Sequence, residues 1–193
     1  MSWVSLSQEH AASPVHYPRG ARILHLGLVL LFSFELLNSV LALWFQHFFL
    51  FQWHTLAGIA LAAWLTLSWL VYGSTHWGRS LLKTWYWPGN ARFILADIRR
   101  VLQGRLPGHG PQPGLSSWWQ GMFLLLASWV TYTGLGAWMV MQGYFVIPGL
   151  THLGLISMRL GTPVLLYFWL GHVGMAFYHA LRRQPLWSIF ALR

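Results

Sequence analysis

Four apolar runs decide what this chain can fold into. They cover about residues 23–45, 51–72, 118–141 and 156–181. At ~1.5 Å per residue each is long enough to cross the ~30 Å hydrocarbon core of a bilayer. A backbone in lipid must satisfy its own hydrogen bonds, so runs of this length form helices. The connection at Gln46–Gln52 is short, and Pro148 and Gly149 mark another turn, so successive runs are antiparallel neighbours. The chain is 56% hydrophobic and only 8% charged, which excludes an ordinary soluble domain. The fold expected is all-α: one integral membrane domain spanning residues 1–193, built as a four-helix bundle.

The net charge of +9 invites a nucleic-acid reading, and its distribution removes it. Arg19 and Arg22 precede the first run. Arg79, Lys83, Arg92, Arg99, Arg100 and Arg105 lie between the second and third, and Arg182, Arg183 and Arg193 follow the fourth. The two opposite connections carry no Lys or Arg. This is the positive-inside pattern, so both termini and the long loop at 73–117 are expected on the cytoplasmic side of the membrane. Residues 1–18 read as a cytoplasmic tail with no removable signal peptide. In the long loop, Trp85-Tyr86-Trp87-Pro88-Gly89 reads as a surface turn. An amphipathic helix is expected at about 90–104, lying on the inner leaflet or docking a further subunit. Leu106–Gly114, rich in Pro and Gly, reads as loop. The 14 tryptophans suit interfacial belts and cofactor packing.

There is no cysteine. That excludes disulfides, thiolate-held iron–sulfur clusters and covalent haem attachment through Cys-x-x-Cys-His. Histidines remain, and ionisable groups inside a bilayer are costly enough to be functional candidates. His25 opens the first run and His54 the second, while His172 and His179 lie inside the fourth. Seven residues is nearly two turns, so His172 and His179 share roughly one face. Histidines on facing helices of a small bundle point to axial ligands of haem iron.

Depth constrains the pairing. His25 lies near the inner end and His54 near the outer end, so they do not share an iron. Matching by depth alone gives His25 with His179 and His54 with His172, at the cost of crowding two irons within ~10 Å along the helix. Pairing His25 with His172 leaves room for an outer site. Met158 lies fourteen residues before His172, on the same helix face and ~21 Å further out, near the depth of His54. A thioether is a competent haem ligand, although most methionines simply fill cores. His152 is turned off that face unless Gly161 and Pro163 break the helix. Arg159 sits beside Met158 at the outer end, where it suits a haem propionate or an interfacial anchor. Glu35 and Asn38, one turn apart in the first run, read either as a paired or protonated carboxyl packed in the bundle or as a proton relay.

These pieces in order are Arg22-x-x-His25, Trp53-His54-x-x-x-Gly58, Asp97-Ile98-x-x-Val101-Leu102-x-Gly104, Thr133-Gly134 and His172-Val173-x-Met175-Ala176. Together they resemble the b-type cytochrome subunits of membrane-bound formate dehydrogenases and nickel–iron hydrogenases, with the related thiosulfate reductase subunits and stand-alone four-helix cytochromes b. The resemblance runs from about Arg19 to Arg183. It implies two b haems in a four-helix bundle, passing electrons between an outer iron–sulfur subunit and a quinone near the cytoplasmic face. By motif it assigns His25 and His172 to the inner haem and His54 to the outer one. The family's other outer ligand is a histidine fourteen residues before the one matched by His172; here that position is Met158. Gln120 and Trp119 fall where the family binds quinone, and His179 lies near the same surface, facing quinone or the headgroups.

The function expected is a haem b membrane anchor and electron-transfer subunit, with one or two haems. Its expected partners are the iron–sulfur and catalytic subunits of a respiratory oxidoreductase, quinone and the bilayer, and no nucleic acid. Two alternatives are a self-contained quinone-linked cytochrome b oxidoreductase and a haem-free anchor or assembly subunit.

Overall fold

The computed structural model describes residues 18–104 and 113–181, with the backbone alone at 178–180. The expected N-terminal tail, most of the Pro- and Gly-rich stretch, the C-terminal arginines and the His179 side chain lie outside the described residues. Six helices follow in order: α1 (Arg19–Phe45), α2 (Phe51–Ser74), α3 (His76–Tyr86), α4 (Ala91–Leu102), α5 (Leu115–Met141) and α6 (Leu150–Leu181). Among the described residues there is no strand. Four helices, α1, α2, α5 and α6, are long and apolar enough to cross a membrane. Their outward faces carry large apolar side chains such as Leu30, Leu56, Leu70 and Leu160. Their inward faces carry small or branched ones such as Leu65, Ser68 and Ala137. Without a hydrophobic drive between helices in lipid, close backbone approach and interhelical hydrogen bonds hold such a bundle.

Most of the bonds come from tryptophans. Trp64 Nε1–H of α2 donates to the Leu24 carbonyl of α1 at 2.9 Å. Trp69 of α2 donates to Ser128 of α5 at 2.9 Å. Trp129 and Trp119 of α5 donate to Ser157 Oγ and the Phe168 carbonyl of α6, at 3.2 and 3.3 Å. Trp169 of α6 donates to Ser33 of α1 at 3.2 Å. Each side of the four-helix ring is therefore closed by an indole N–H. The expectation of tryptophans in interfacial belts misses this inward role. Glycines make the approach possible. A side chain at Gly154 would meet the Thr133 carbonyl oxygen at 2.7 Å, and one at Gly161 would run into Val130, so α6 lies flush on α5.

The first two spans are staggered. Asn38 Nδ2 donates to the Leu50 carbonyl at 3.3 Å, which puts the start of α2 level with Asn38, not with the end of α1. α1 overshoots by about two turns. Gln46, in the left-handed region at φ 56°, turns the chain so that it runs back along the helix. The same register recurs further along: from Asn38 to Leu24 is fourteen residues, and from Leu50 to Trp64 is also fourteen. α6 begins at Leu150, six residues before the expected 156, directly after Gly149 with its φ of +79°. Pro163 lies inside α6 without ending it, so the helix break that would have re-aimed His152 is absent.

A helix that the sequence reading treated as loop and turn, α3, folds back against the bundle. Thr75, in extended conformation, caps it by accepting a hydrogen bond from Gly78 N–H at 3.1 Å. Trp77, Leu81, Leu82 and Trp85 share the face that joins the core, while Arg79 and Lys83 face out. Buried Asn90 closes its C-terminus, donating to the Lys83 and Thr84 carbonyls at 3.0 and 2.9 Å. Tyr86 donates its hydroxyl to the Gly121 carbonyl of α5 at 2.7 Å. Burial, and then the neighbouring Tyr72, push that phenol well above its usual range, so it stays a donor. The amphipathic α4 forms within its expected range. Its Asp97 accepts from the Leu115 N–H at 3.0 Å, capping the third span, and Gly114 is the residue whose lack of a side chain admits that carboxylate.

Candidate functional site

The two histidines paired by motif meet. His25 of α1 and His172 of α6 lie edge to face, with ring centroids 6.1 Å apart and planes inclined by 66°. Two imidazoles bound on opposite sides of one metal ion need about 2 Å per metal–nitrogen bond and about 1 Å from nitrogen to ring centre, roughly 6 Å in all. The observed spacing is that of such a pair. Tryptophans fix the backbone beside each ring. The Leu24 carbonyl, next to His25, accepts from Trp64, whose indole fills the space left by Gly27. Gly171, next to His172, lies against Trp119, where a side chain would meet the indole at 3.1 Å.

Toward the other end of the bundle the four spans part around a cavity of about 260 Å³. That is many times the ~10–15 Å³ that one water needs. His54, Met158, Gly58 and Gly134 all line it, together with Glu35 and mostly apolar neighbours. A side chain at Gly58 would meet nothing within 4 Å, and Gly134 faces Met158 Sδ at 3.5 Å from where its own Cβ would stand. Missing side chains thus widen the cavity from two neighbouring walls, α2 and α5. His54 and Met158 come from α2 and α6, so one apolar space is flanked by an imidazole and a thioether. Both are partly buried.

Glu35 enters this site from α1. Its Oε2 lies 2.5 Å from His54 Nδ1, on a buried carboxyl. The contact is short but off the line of an aligned N–H···O bond, so Nδ1 counts as paired by distance and not by angle. Phe51 stacks on the other side of His54, with centroids 5.2 Å apart and planes at 22°. Glu35 Oε1 and Asn38 Oδ1 are buried and have no hydrogen-bond partner among the described residues. The sequence placed Glu35 and Asn38 on one face and did not relate them to His54. The overshoot of α1 is what brings them level.

The remaining candidates are placed apart. Arg159 and His152 are exposed, and neither lines the cavity. Trp119 is occupied in pairing α5 with α6, donating to Phe168 and lying against Tyr167 and Gly171. Gln120 points outward beside it. His179 continues α6 beyond His172, its side chain outside the described residues. Among the described residues no three His, Asp or Glu side chains cluster as a metal-ion site.

Comparison with known proteins sets this geometry in context. A family profile described as prokaryotic cytochrome b561 matches residues 16–191, nearly the whole chain. Neither the comparison with curated proteins nor that with solved structures gave a match. With a match of that extent the chain belongs to the prokaryotic cytochrome b561 family, membrane cytochromes of the hydrogenase and formate dehydrogenase gamma-subunit type, which implies haem b and electron transfer.

Proposed function

We propose that this chain is the haem b-containing membrane subunit of a respiratory oxidoreductase, relaying electrons between a partner redox subunit and the quinone pool. The observation that carries the reading is the approach of His25 and His172 to 6.1 Å between the neighbouring helices α1 and α6. The residues fit the group at both positions. At the inner one, two imidazoles stand at the separation that one iron requires. At the outer one, a nitrogen and a sulfur donor flank an apolar cavity widened by two glycines. Haem b supplies reversible one-electron chemistry at its iron. The chain supplies ligands, exclusion of water and the order of potentials. A thioether is a weaker donor than imidazole and raises the potential, so Met158 makes the outer position the more oxidising one. With both groups bound, electron flow outward from quinol would be favoured, a direction that a membrane potential negative inside also assists.

In this reading the Lys- and Arg-rich end faces the cytoplasm. α4 lays Leu95, Ile98 and Leu102 on the inner leaflet, while Gln120 and His179 lie on the quinone side. The test is purification from membranes in mild detergent. A dithionite-reduced b-type spectrum together with a co-purifying iron–sulfur or catalytic subunit is the expected result. A chain with haem that turns over quinone by itself would make it a stand-alone oxidoreductase, and a chain without haem would make it an anchor only.

A further inference from the structure

Glu35 is the one acid within the four spanning helices, and it is buried. A carboxyl in a bilayer interior is costly enough to need a partner that holds it there. Its partner is His54 Nδ1, at 2.5 Å. Phe51 lies flat on the same ring, and Asn38, one turn from Glu35, ties down the Leu50 carbonyl just before α2. The imidazole is thus held at one nitrogen, on one face and through the backbone that precedes it. The nitrogen left over is Nε2, on a residue that lines the cavity.

We propose that Glu35 is a positioning residue for His54: its carboxylate holds Nδ1, fixes which ring nitrogen is offered to the cavity, and strengthens that nitrogen as a donor. The inference rests on the outer-haem reading above. Histidines that bind metals generally give their second ring nitrogen to a carboxylate, carbonyl or water, and loss of that partner typically costs about 10- to 100-fold in metal affinity or activity. Two residues of the chain then act on one potential with opposite sign. Met158, a weak donor, pushes it up. Glu35, by its charge and by making His54 a stronger donor, pulls it down. Packing alone gives Glu35 no such signed effect, because an isosteric amide keeps the volume and one accepting oxygen while it exchanges the other, charged oxygen for a neutral NH2 group.

The experiment is an optical redox titration with low-temperature electron paramagnetic resonance on the purified, haem-loaded full chain, comparing wild type with Glu35→Gln, Glu35→Leu and His54→Ala. Expected in Glu35→Gln is an upward shift of one midpoint potential with the other fixed, and an altered resonance for one haem. Expected in Glu35→Leu is a roughly 10-fold or greater weakening of the same haem's retention. The inner His25/His172 signal in each sample reports that the bundle has folded. If Glu35→Leu loses both signals, Glu35→Gln still decides. Two haems in wild type, one of them lost in His54→Ala, with neither midpoint nor resonance moved in Glu35→Gln, would overturn the role of Glu35 and leave the outer haem standing. A single haem that survives His54→Ala would overturn both.

Discussion

Individual side chains in this bundle do work that their type alone does not announce. Gly27 is a case: any side chain there overlaps Trp64, whose indole also bonds the Leu24 carbonyl beside His25. Gly27→Ala is expected to destabilise the bundle by about 1–3 kcal/mol, the usual cost of overpacking. Trp64→Phe should cost about 0.5–1.5 kcal/mol for the lost hydrogen bond. Both are readable as earlier thermal loss of the haem spectrum in detergent. At the ligands, His25→Ala or His172→Ala should abolish one low-spin b-type signal, while His179→Ala should leave it in place. The opposite pattern would mean that depth, not the Arg22-x-x-His25 and His172-Val173-x-Met175 motifs, selects the pair. Met158→His should lower one midpoint and leave the other nearly fixed, and the absence of any shift would remove the sulfur from the iron. The histidines were legible in the sequence because a titratable group stands out in an apolar run. The tryptophans were not, because an indole at a membrane surface and an indole closing a helix pair look identical in a sequence.

At the scale of elements, the spanning helices were readable and their offsets were not. Length and hydropathy fix that α1 and α2 exist and run antiparallel. The two-turn overshoot of α1 depends on Gln46 adopting φ 56° and on Asn38 reaching the Leu50 carbonyl, and neither leaves a periodic signal. The position of Glu35 beside His54 follows from that offset. α3 was hidden by its short length and by the Trp85–Gly89 stretch that reads as a turn. Thr75 followed by apolar residues at helical spacing was the available clue. Asp97 crosses from α4 to the Leu115 N–H that opens α5. Asp97→Ala should destabilise the folded bundle by about 0.5–2 kcal/mol, the usual cost of losing a cap. Denaturation in mixed detergent micelles checks this. The expected signature is a lower midpoint with the haem spectrum of the folded state unchanged.

Across the whole molecule, the proposed function places two ligand sets at two depths. α6 carries His172 and, fourteen residues earlier, Met158, ~21 Å apart along the helix. α1 brings His25 to the first, and the α1–α2 stagger brings His54 and Glu35 to the level of the cavity that Met158 lines. Orientation is set by charge: reporter fusions after Gln46 and after Gly104 should report opposite sides, with Gly104 cytoplasmic. Both reporting one side would undo the span assignment. The measurement that bears most directly on the account is haem quantitation per polypeptide on the purified chain, by the absorbance of the reduced pyridine complex against protein mass. Two haems b per chain is the result predicted. One per chain would contradict the His54 and Met158 site, and none would contradict the electron-transfer function itself.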